Sequence, residues 1–300
     1  MSARYFGTDG IRGAYGQGLV TESFAAQLAA GLHRYLSQGS GAGNPVIAIG
    51  RDTRGSGASL AFSLAAQFEA LGGRVINLGI LPTPQVAFGA RVLGAHSGIS
   101  ITASHNEAQD NGFKLFTSDG LKFSIEEEAK IERCIAEAGR MARAEPGGIH
   151  GLSEPRGVGE RYYRFLNDCF PGLNLSSLSI GVDSANGATA GITARILEAF
   201  GARVCPIGDQ PDGSNINAGL GSEHPDRIRE CTRANSCDLG IAHDGDGDRA
   251  IFVDDAGELL EGEQFMAIIA KHGGADRCVR ENPLVTTVQS NLALDRFVEG

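Results

Sequence analysis

Short apolar runs alternate along the chain with longer segments in which apolar residues recur every three or four positions. A run without polar alternation predicts a strand buried on both faces, and the longer periodic segments predict helices. The predicted strands span 46–50, 74–80, 97–104, 178–187, 203–208, 237–244 and 249–255. The predicted helices span 63–73, 84–94, 125–142, 161–170, 188–202 and 225–235, and Ser124 is the predicted N-cap of the third. Strands that alternate with helices indicate an α/β fold, with helices on both faces of each sheet.

A repeated pattern predicts the domain organisation. A helix, a glycine, Arg-Val and a strand follow one another in ALGGRVINLG and again in AFGARVCPIG, which indicates two homologous α/β units. The Gly-rich segment 147–160 is the predicted linker between them. A third unit begins near residue 255 with a helix at 261–274, a strand at 283–289 and a helix starting at 290–297. We therefore predict domains at 1–153, 154–253 and 254–300, and expect the sequence to be a fragment of a longer protein.

Composition narrows the class of partner. The chain has 26 Lys and Arg against 36 Asp and Glu, a net charge of −10, which disfavours DNA or RNA as the main partner. Glycine is abundant at 43 of 300 residues and predicts tight loops that approach a ligand closely. The N-terminal MSARYFGTDGIRG has no apolar run, so we do not expect it to be a secretory signal. The sequence has no apolar run long enough to span a membrane and no CxxC among its six cysteines. We expect a cytoplasmic enzyme without a membrane or nucleic-acid partner.

The motif DGDGDR between two predicted strands is the strongest chemical signal. Asp244, Asp246 and Asp248 recur at every second position, so that an extended segment would carry them on one side. The glycines between them let the backbone curl, so that the three carboxylates are expected to converge. Carboxylate oxygens select Mg²⁺ or Ca²⁺ over softer metals. An EF-hand is disfavoured, because its sixth and twelfth positions would be Arg249 and Asp255 here. An acidic hairpin turn without a metal is the other alternative, although three carboxylates so close would repel one another.

A second motif follows the predicted strand 97–104. Ser104, His105 and Asn106 stand at its carboxyl end, where α/β proteins place groups that contact ligands, and Lys114 follows ten residues later. A polar turn or a helix N-cap is the alternative interpretation of Ser-His. The sequence around Ser104 lacks the G-x-S-x-G elbow of a hydrolase. Ser104 is instead a candidate phosphate carrier, held beside a Mg²⁺ on the three aspartates.

Two glycine-spaced loops carry arginines that can reach a phosphate. FGTDGIRG contains Arg12, and GRDTRGSG contains Arg51 and Arg54. We predict that these arginines and Asn106 bind phosphate or substrate; a solvated surface loop is the alternative for each. The segment PDGSNINAGLGSEHP, residues 211–225, is predicted only to be a loop.

Together these five segments resemble the α-D-phosphohexomutase family. FGTDGIRG, GRDTRGSG, ITASHN with NGFK, PDGSNIN with GSEHP, and DLGIAHDGDGDR occur in the order typical of that family. GTDGIRG and PDGSNIN are similar to its glucosamine branch. The resemblance implies repeated α/β domains with mixed sheets sandwiched by helices, four of them in the family, arranged around a central cleft. The fourth, phosphate-binding domain is expected to be absent from this chain, and 254–300 to be part of the third, sugar-recognition domain.

The resemblance also implies the roles of the site residues. Ser104 would be the phosphoserine and, with the three aspartates, would bind Mg²⁺. The remaining catalytic residues would line the cleft beside the phosphoryl group: Arg12, His105, Lys114 and Arg249. The implied reaction interconverts glucosamine 6-phosphate and glucosamine 1-phosphate through a phosphoserine enzyme and a sugar bisphosphate. The implied partners are these phosphosugars, and a homodimer is left open.

Two departures from the family pattern change this expectation. Glu107 stands where the family usually has proline after Ser-His-Asn, and its charge is expected to slow transfer to or from an anionic phosphate. The Gly-Glu-x-Ser-Gly loop that recognises the sugar is missing, because the Gly-Glu-Gln at 262–264 comes too early and lies in a predicted helix. We therefore expect little mutase activity from these 300 residues alone.

Three alternatives to this activity remain open at the sequence level. The first is a phosphomannomutase or phosphoglucomutase. The second is a truncated, non-catalytic module that binds phosphosugars. The third is a metal-dependent phosphatase, for which no nucleophilic aspartate motif is evident.

Overall fold

The computed structural model describes residues 5–39, 44–139, 157–272, 284–287, 290 and 292–299. The first α/β unit contains, in chain order, β1 Ile11–Ala14, α1 Glu22–Gly39, β2 Val46–Arg51, α2 Gly57–Ala70, β3 Arg74–Ile80, α3 Thr83–Val92, β4 Ser97–Ile101, β5 Asp110–Thr117 and α4 Ile125–Ala138. Ser124 caps α4 as predicted, and its hydroxyl and the Glu127 carboxylate satisfy each other's backbone N–H groups in a capping box.

The first sheet has the strand order β1-β5-β4-β2-β3. Its centre is parallel, with Ile49 of β2 opposite Ile99 of β4, and its β5 and β1 edge is antiparallel. Helices α1, α2 and α4 cover one face and α3 covers the other, so the sheet is buried on both sides. The core of the larger face includes Leu28, Leu64, Phe68, Ile101 and Ile135. Every residue of β4 is buried, which explains why its sequence shows no alternation.

The second unit repeats this topology except at its edge strand. It contains α5 Val158–Cys169, β6 Ser179–Asp183, α6 Ile192–Ala199, β7 Arg203–Ile207, α7 Asp226–Ala234, β8 Leu239–His243, β9 Ala250–Asp254 and β10 Leu259–Leu260. The order β10-β9-β8-β6-β7 corresponds to that of the first sheet, with the same parallel centre and antiparallel edge. The edge strands differ in the chain, because β10 follows the other strands of its unit and β1 precedes those of the first. The repeated α/β architecture is therefore present in the four inner strands of each sheet, and homology of the two units stays a prediction. The Arg-Val pairs that indicated it begin the equivalent strands β3 and β7.

Some predicted elements differ from the structure. Strand β4 ends at Ile101 rather than at 104, and β1, β5 and α1 were not predicted. The strand predicted at 283–289 is wrong for its described part, because 284–287 pair with no strand of the described chain. Most of the predicted linker lies outside the described residues, and its last residues already belong to α5. The second sheet includes β10 and so extends past 253, while the division into three domains stays a prediction.

Two helices follow the second sheet, α8 Gly262–His272 and α9 Leu292–Glu299, and they contact each other. The Gly-Glu-Gln sequence lies in the first turn of α8, as expected. No helix in the described parts of the chain combines the length and the apolar character that crossing a membrane requires.

Loops at the carboxyl ends of the parallel strands join the two units. The hydroxyl of Thr53 donates to the carbonyl of Asn186 at 2.6 Å, and the N–H of Gly55 donates to the carbonyl of Gly213 at 2.8 Å. These bonds connect GRDTRGSG with the turn after β6 and with the PDGSNIN loop. The polar loops of both units therefore meet at one place, where α/β proteins place their ligands.

Candidate functional site

Ser104 lies in the turn between β4 and β5, with its side chain completely buried. Its φ of +56° places a non-glycine residue in the left-handed region, which is costly unless the surroundings hold it there. The Ser104 N–H donates to the Thr102 hydroxyl at 2.8 Å, and that hydroxyl donates to the Asp52 carboxylate at 2.7 Å. Asp52 follows β2, so two neighbouring parallel strands fix the serine turn.

The three predicted aspartates lie in the equivalent turn of the second unit, between β8 and β9. One carboxylate oxygen from each of Asp244, Asp246 and Asp248 lies within 4.8 Å of the others. Residues 245–248 form a turn in which Gly247 has a φ of +68°, so the segment is not extended. The carboxylates converge because the backbone bends around the glycines, as the sequence predicts.

The two turns meet at the serine. Ser104 Oγ donates to Asp244 Oδ2 at 2.5 Å, although the two residues are 140 positions apart in the chain. Arg249 Nη2 donates to Ser104 Oγ at 2.8 Å and to His105 Nδ1, and Arg249 Nε donates to Asp244 Oδ2 at 3.1 Å. Burial, and then the charge of Arg249, lower the pKa of His105, so its imidazole is neutral at neutral pH and accepts this bond. A carboxylate and a guanidinium thus converge on the hydroxyl oxygen of Ser104.

Lys114 connects the antiparallel edge of the first sheet to the acid triad. Its Nζ lies 2.7 Å from Asp246 Oδ2 and also pairs with Asp248. Thr83, at the start of α3, donates its hydroxyl to the same Asp246 oxygen at 2.5 Å. Two elements of the first unit therefore supply the partners of Asp246, which belongs to the second unit.

Burial and charge act in opposite directions on these groups. Burial, together with the nearby Asp246, raises the pKa of Asp244 to about 6. Burial is the largest single influence on Asp246 and acts to raise its pKa, but the charge and hydrogen bond of Lys114, with the hydrogen bonds of Thr83 and Asp244, together make the net shift downward. Burial is also the largest single influence on Lys114 and acts to lower its pKa, but the charges and hydrogen bonds of Asp246 and Asp248 together make the net shift upward. Lys114 and Asp246 are therefore both charged at neutral pH.

The acid triad can hold a divalent metal ion. Asp246 Oδ1 is buried and has no hydrogen-bond partner in the structure, which is costly for a carboxylate oxygen unless a cation occupies the position. Oxygen donors close together suit hard cations such as Mg²⁺ or Ca²⁺. The donor set therefore fits the metal that the sequence predicted.

Arg12 and Arg51 contact groups other than Ser104. Arg12 lies in β1 opposite Gly112 of β5, pairs with Asp9, and has a buried Nε without a hydrogen-bond partner. Arg51 donates to the Asp52 carbonyl at 3.4 Å. Binding of phosphate by these two arginines stays a prediction.

Arg54 does not fit its predicted role. Its side chain is completely buried, and Nε donates to Asp52 at 2.9 Å. Its two terminal nitrogens donate to the backbone carbonyls of the serine turn, at Ser104, Asn106, Glu107 and Asp110. All five N–H groups of a guanidinium are thereby used, and none is left for a phosphate. The correction is that Arg54 holds the turn that carries Ser104.

The other residues of the serine turn also bond to the protein. The Asn106 side chain donates to the Asp110 carboxylate at 2.7 Å, while its carbonyl accepts bonds from Arg54 and Asn217. Glu107 is exposed and accepts a bond from Gln109 at 2.5 Å.

Sequence reasoning missed several residues that hold the site, namely Asp52, Thr83, Thr102 and Asn217. Asp52 stands inside the GRDTRGSG motif, and its position directly after a buried strand was a usable signal. Asn217 stands inside the PDGSNIN loop, which the sequence marked only as a loop. Thr83 contacts a residue 163 positions away, which no local pattern reveals.

This pair of similar α/β units, with a buried serine facing an acid triad, has clear relatives. Residues 3–141 match alpha/beta/alpha domain I of the phosphoglucomutase/phosphomannomutase proteins, and residues 160–262 match domain II. The chain belongs to the phosphoglucomutase/phosphomannomutase family.

Individual proteins of this family show how similar the chain is to particular members in sequence and in structure. The chain is 42% identical over 304 residues to a phosphoglucosamine mutase of Cereibacter sphaeroides, covering 100% of this chain and 67% of that protein. It is 41% identical to the phosphoglucosamine mutase of Paracoccus denitrificans, with the same coverage. A solved structure of a provisionally assigned phosphomannomutase from Thermus thermophilus superimposes with a TM-score of 0.79 at 27% identity, covering 92% of this chain and 63% of that one. The chain spans about two thirds of the length of the curated relatives it matches.

Proposed function

We propose that this chain carries the phosphoryl-transfer centre of a phosphoglucosamine mutase, which interconverts glucosamine 6-phosphate and glucosamine 1-phosphate. One observation carries the proposal: Ser104 Oγ lies 2.5 Å from Asp244 Oδ2 and 2.8 Å from Arg249 Nη2, at the junction of two units. A serine that only caps a helix or closes a turn would not need a carboxylate and a guanidinium from another domain. The identity to phosphoglucosamine mutases supports the choice of sugar.

The proposed cycle begins with a phosphoryl group on Ser104 Oγ. In the first transfer the bond between phosphorus and Oγ breaks, and phosphorus forms a bond to the free hydroxyl of the sugar monophosphate. The hydroxyl loses its proton and Oγ gains one, so a sugar bisphosphate and a free serine result. The second transfer returns the other phosphoryl group to Oγ and releases the isomeric monophosphate.

The residues around Ser104 suit this reaction. Arg249 Nη2 lies where it can offset negative charge on Oγ as the phosphoryl group leaves. Asp244 Oδ2 accepts a hydrogen bond from the Ser104 hydroxyl in the free enzyme and so orients it. Lys114 fixes two of the three aspartates. Asp244, Asp246, Asp248 and a phosphate oxygen on Ser104 would hold Mg²⁺, which when bound supplies positive charge against the oxygens of the transferring group.

The test is phosphorylation of Ser104. The purified chain is incubated with Mg²⁺ and millimolar glucosamine 1,6-bisphosphate, and the intact mass and the peptide 97–114 are measured. We expect one added phosphoryl group on Ser104, none in Ser104→Ala, and the normal amount in the control Ser118→Ala, whose serine is exposed and follows β5 rather than lying in the serine turn. A peptide that is never phosphorylated would refute the proposal and leave a binding module.

Parallel incubations with the glucose and mannose bisphosphates test the choice of sugar. We expect the glucosamine compound to react fastest, and a faster mannose or glucose compound would assign the chain to those mutases. Cytoplasmic location, a homodimer and Mg²⁺ as the particular metal stay predictions within this proposal.

A further inference from the structure

We propose that Asn217 is a positioning residue that holds the turn of Ser104 in its transfer geometry from across the junction between the two units. The inference rests on the proposed function of Ser104. It gives a role to the PDGSNIN loop, which the sequence marked only as a loop.

The Asn217 side chain makes two bonds to the serine turn. Its Nδ2 donates to the carbonyl oxygen of Ser104 at 2.9 Å and to that of Asn106 at 2.8 Å. Only the amide nitrogen can serve two carbonyl oxygens, so the orientation of the amide is fixed by its partners. The side chain therefore reaches into the other unit and binds the backbone on both sides of His105.

Arg54 donates to the same two oxygens from within the first unit. Its Nη2 lies 3.1 Å from the Ser104 carbonyl oxygen and 2.7 Å from that of Asn106. A carbonyl oxygen accepts two bonds, so each of these oxygens is fully satisfied, half by Arg54 and half by Asn217. Two carbonyl dipoles that point to one place repel each other without such donors. The left-handed φ of Ser104 is thus held by both units together.

Asn217 is itself fixed to the second unit. It is buried, with 7% of its surface exposed, and its N–H donates to the Ala185 carbonyl at 2.8 Å. The Ala185 N–H donates to the buried carboxylate of Asp183 at the end of β6. The φ of Asn217 is +60°, a conformation that asparagine adopts more readily than most residues. The loop therefore links the end of β6 in the second sheet to the serine turn through hydrogen bonds.

The acid triad turn, residues 244–248, packs against the contact between Asn217 and the serine turn. A Cβ built on Gly245 would lie 2.7 Å from the Ser104 carbonyl oxygen and 2.8 Å from Asn217 Nδ2. The asparagine amide, the serine turn and the acid triad turn thus share one packed point. If the amide is removed, Ser104 Oγ loses a constraint on its distance to Asp244 while every catalytic side chain remains.

The test compares Asn217→Asp and Asn217→Gly with Asn215→Ala. Aspartate keeps the size and the backbone preference but presents oxygens to the two carbonyls, and glycine keeps the left-handed φ without any donor. Asn215 bonds within its own loop, to the Gln210 carbonyl at 2.9 Å and the Asp212 N–H at 3.0 Å, so its variant perturbs the loop without touching the serine turn directly.

The first measurement is the rate of phosphorylation of Ser104 by the sugar bisphosphate across a range of concentrations. We expect both Asn217 variants to lose about tenfold to hundredfold in the maximal rate with a half-saturating concentration within about threefold of wild type, because displacement affects transfer more than binding. Asn215→Ala should stay near the wild-type rate. Wild-type rates in the Asn217 variants, or an equal loss in Asn215→Ala, would overturn the inference and leave the proposed function intact.

The second measurement is amide hydrogen exchange of the peptide covering 103–110, which does not depend on activity. We expect at least tenfold faster exchange there in Asn217→Gly than in wild type or Asn215→Ala. If wild type is never phosphorylated, the proposed function fails and exchange alone decides the positioning role. Unchanged protection in Asn217→Gly would then reject it.

Discussion

Replacing Gly245 by alanine tests the close contact between the serine turn and the acid triad turn. The added Cβ would lie 2.7 Å from the Ser104 carbonyl oxygen and 2.8 Å from both Asn217 Nδ2 and Ile216 Cδ1, whereas ordinary contacts begin near 3.4 Å. The Gly245 carbonyl accepts a bond from the Ala188 N–H at 2.8 Å, which holds the acid triad turn on the side away from Ser104. The two turns must therefore separate by about 0.7 Å, which follows from 3.4 less 2.7.

The expected magnitude follows from this separation. Overpacking of a tight site costs about 1–3 kcal/mol, so the melting temperature should fall by roughly 2–10 °C. A misplacement of this size lowers the rate of an oriented reaction on the order of tenfold to hundredfold. The larger effect should thus be on transfer to Ser104, because its hydroxyl lies on the turn that must move.

The assay measures the initial rate of phosphorylation of Ser104 by intact mass, beside thermal unfolding followed by fluorescence. Gly159→Ala is the matched control, because Gly159 lies in α5 and a Cβ there meets nothing within 4 Å. A helical glycine replaced by alanine should gain up to about 1 kcal/mol of stability and leave transfer unchanged. If Gly245→Ala melts and reacts like wild type, the two turns are not in tight contact and the argument for their coupling is wrong.

Three further outcomes are expected. Arg54→Met leaves the buried Asp52 carboxylate without its cation, and the free energy of unfolding in urea should fall by about 3–5 kcal/mol; a loss below about 1 kcal/mol would contradict the structural role. Asp246→Asn should weaken Mg²⁺ binding at least about tenfold by calorimetry, and unchanged affinity would place the metal elsewhere. The bonds of Ser124 lower the pKa of Glu127 in the folded chain, so the stabilisation is present above the ordinary carboxyl pKa of about 4.3 and is lost as the pH falls through the folded value. Glu127→Gln should therefore show a smaller fall in melting temperature between pH 6 and pH 3 than wild type does.

The sequence predicted the central strands well because they are buried on both faces. Each residue of β4 and β6 is buried, so an uninterrupted apolar run was a sufficient signal. Strand β5 was missed because it contains Asn111, Gly112 and Lys114, whose polar groups and close packing serve the site and interrupt the pattern. Such interruptions are expected where function overrides local preference.

The candidate site was predictable as far as the ends of parallel strands determine it. Ser104 and Asp244 each follow a central strand, which places each of them at the ligand-binding edge of its own sheet. The contact between the two edges was not predictable from either sheet alone. Arg54 and Asn217 were not predictable in their roles, because a sequence does not show whether a polar side chain is buried against backbone carbonyls of a distant segment. Their partners lie about 50 and 110 positions away along the chain.

The matching strand orders of the two sheets bear on how such a centre arises. The serine turn follows the third parallel-sheet strand of one unit and the acid turn follows the same strand of the other, so the reacting groups occupy corresponding corners. An ancestral single unit, paired with a second copy in this arrangement, would bring two identical corners face to face. Fusion of the copies would free each corner to diverge, one toward an alcohol and the other toward acids. In that history the two turns were alike before they took different roles, and the interface between the copies is older than the chemistry at that interface.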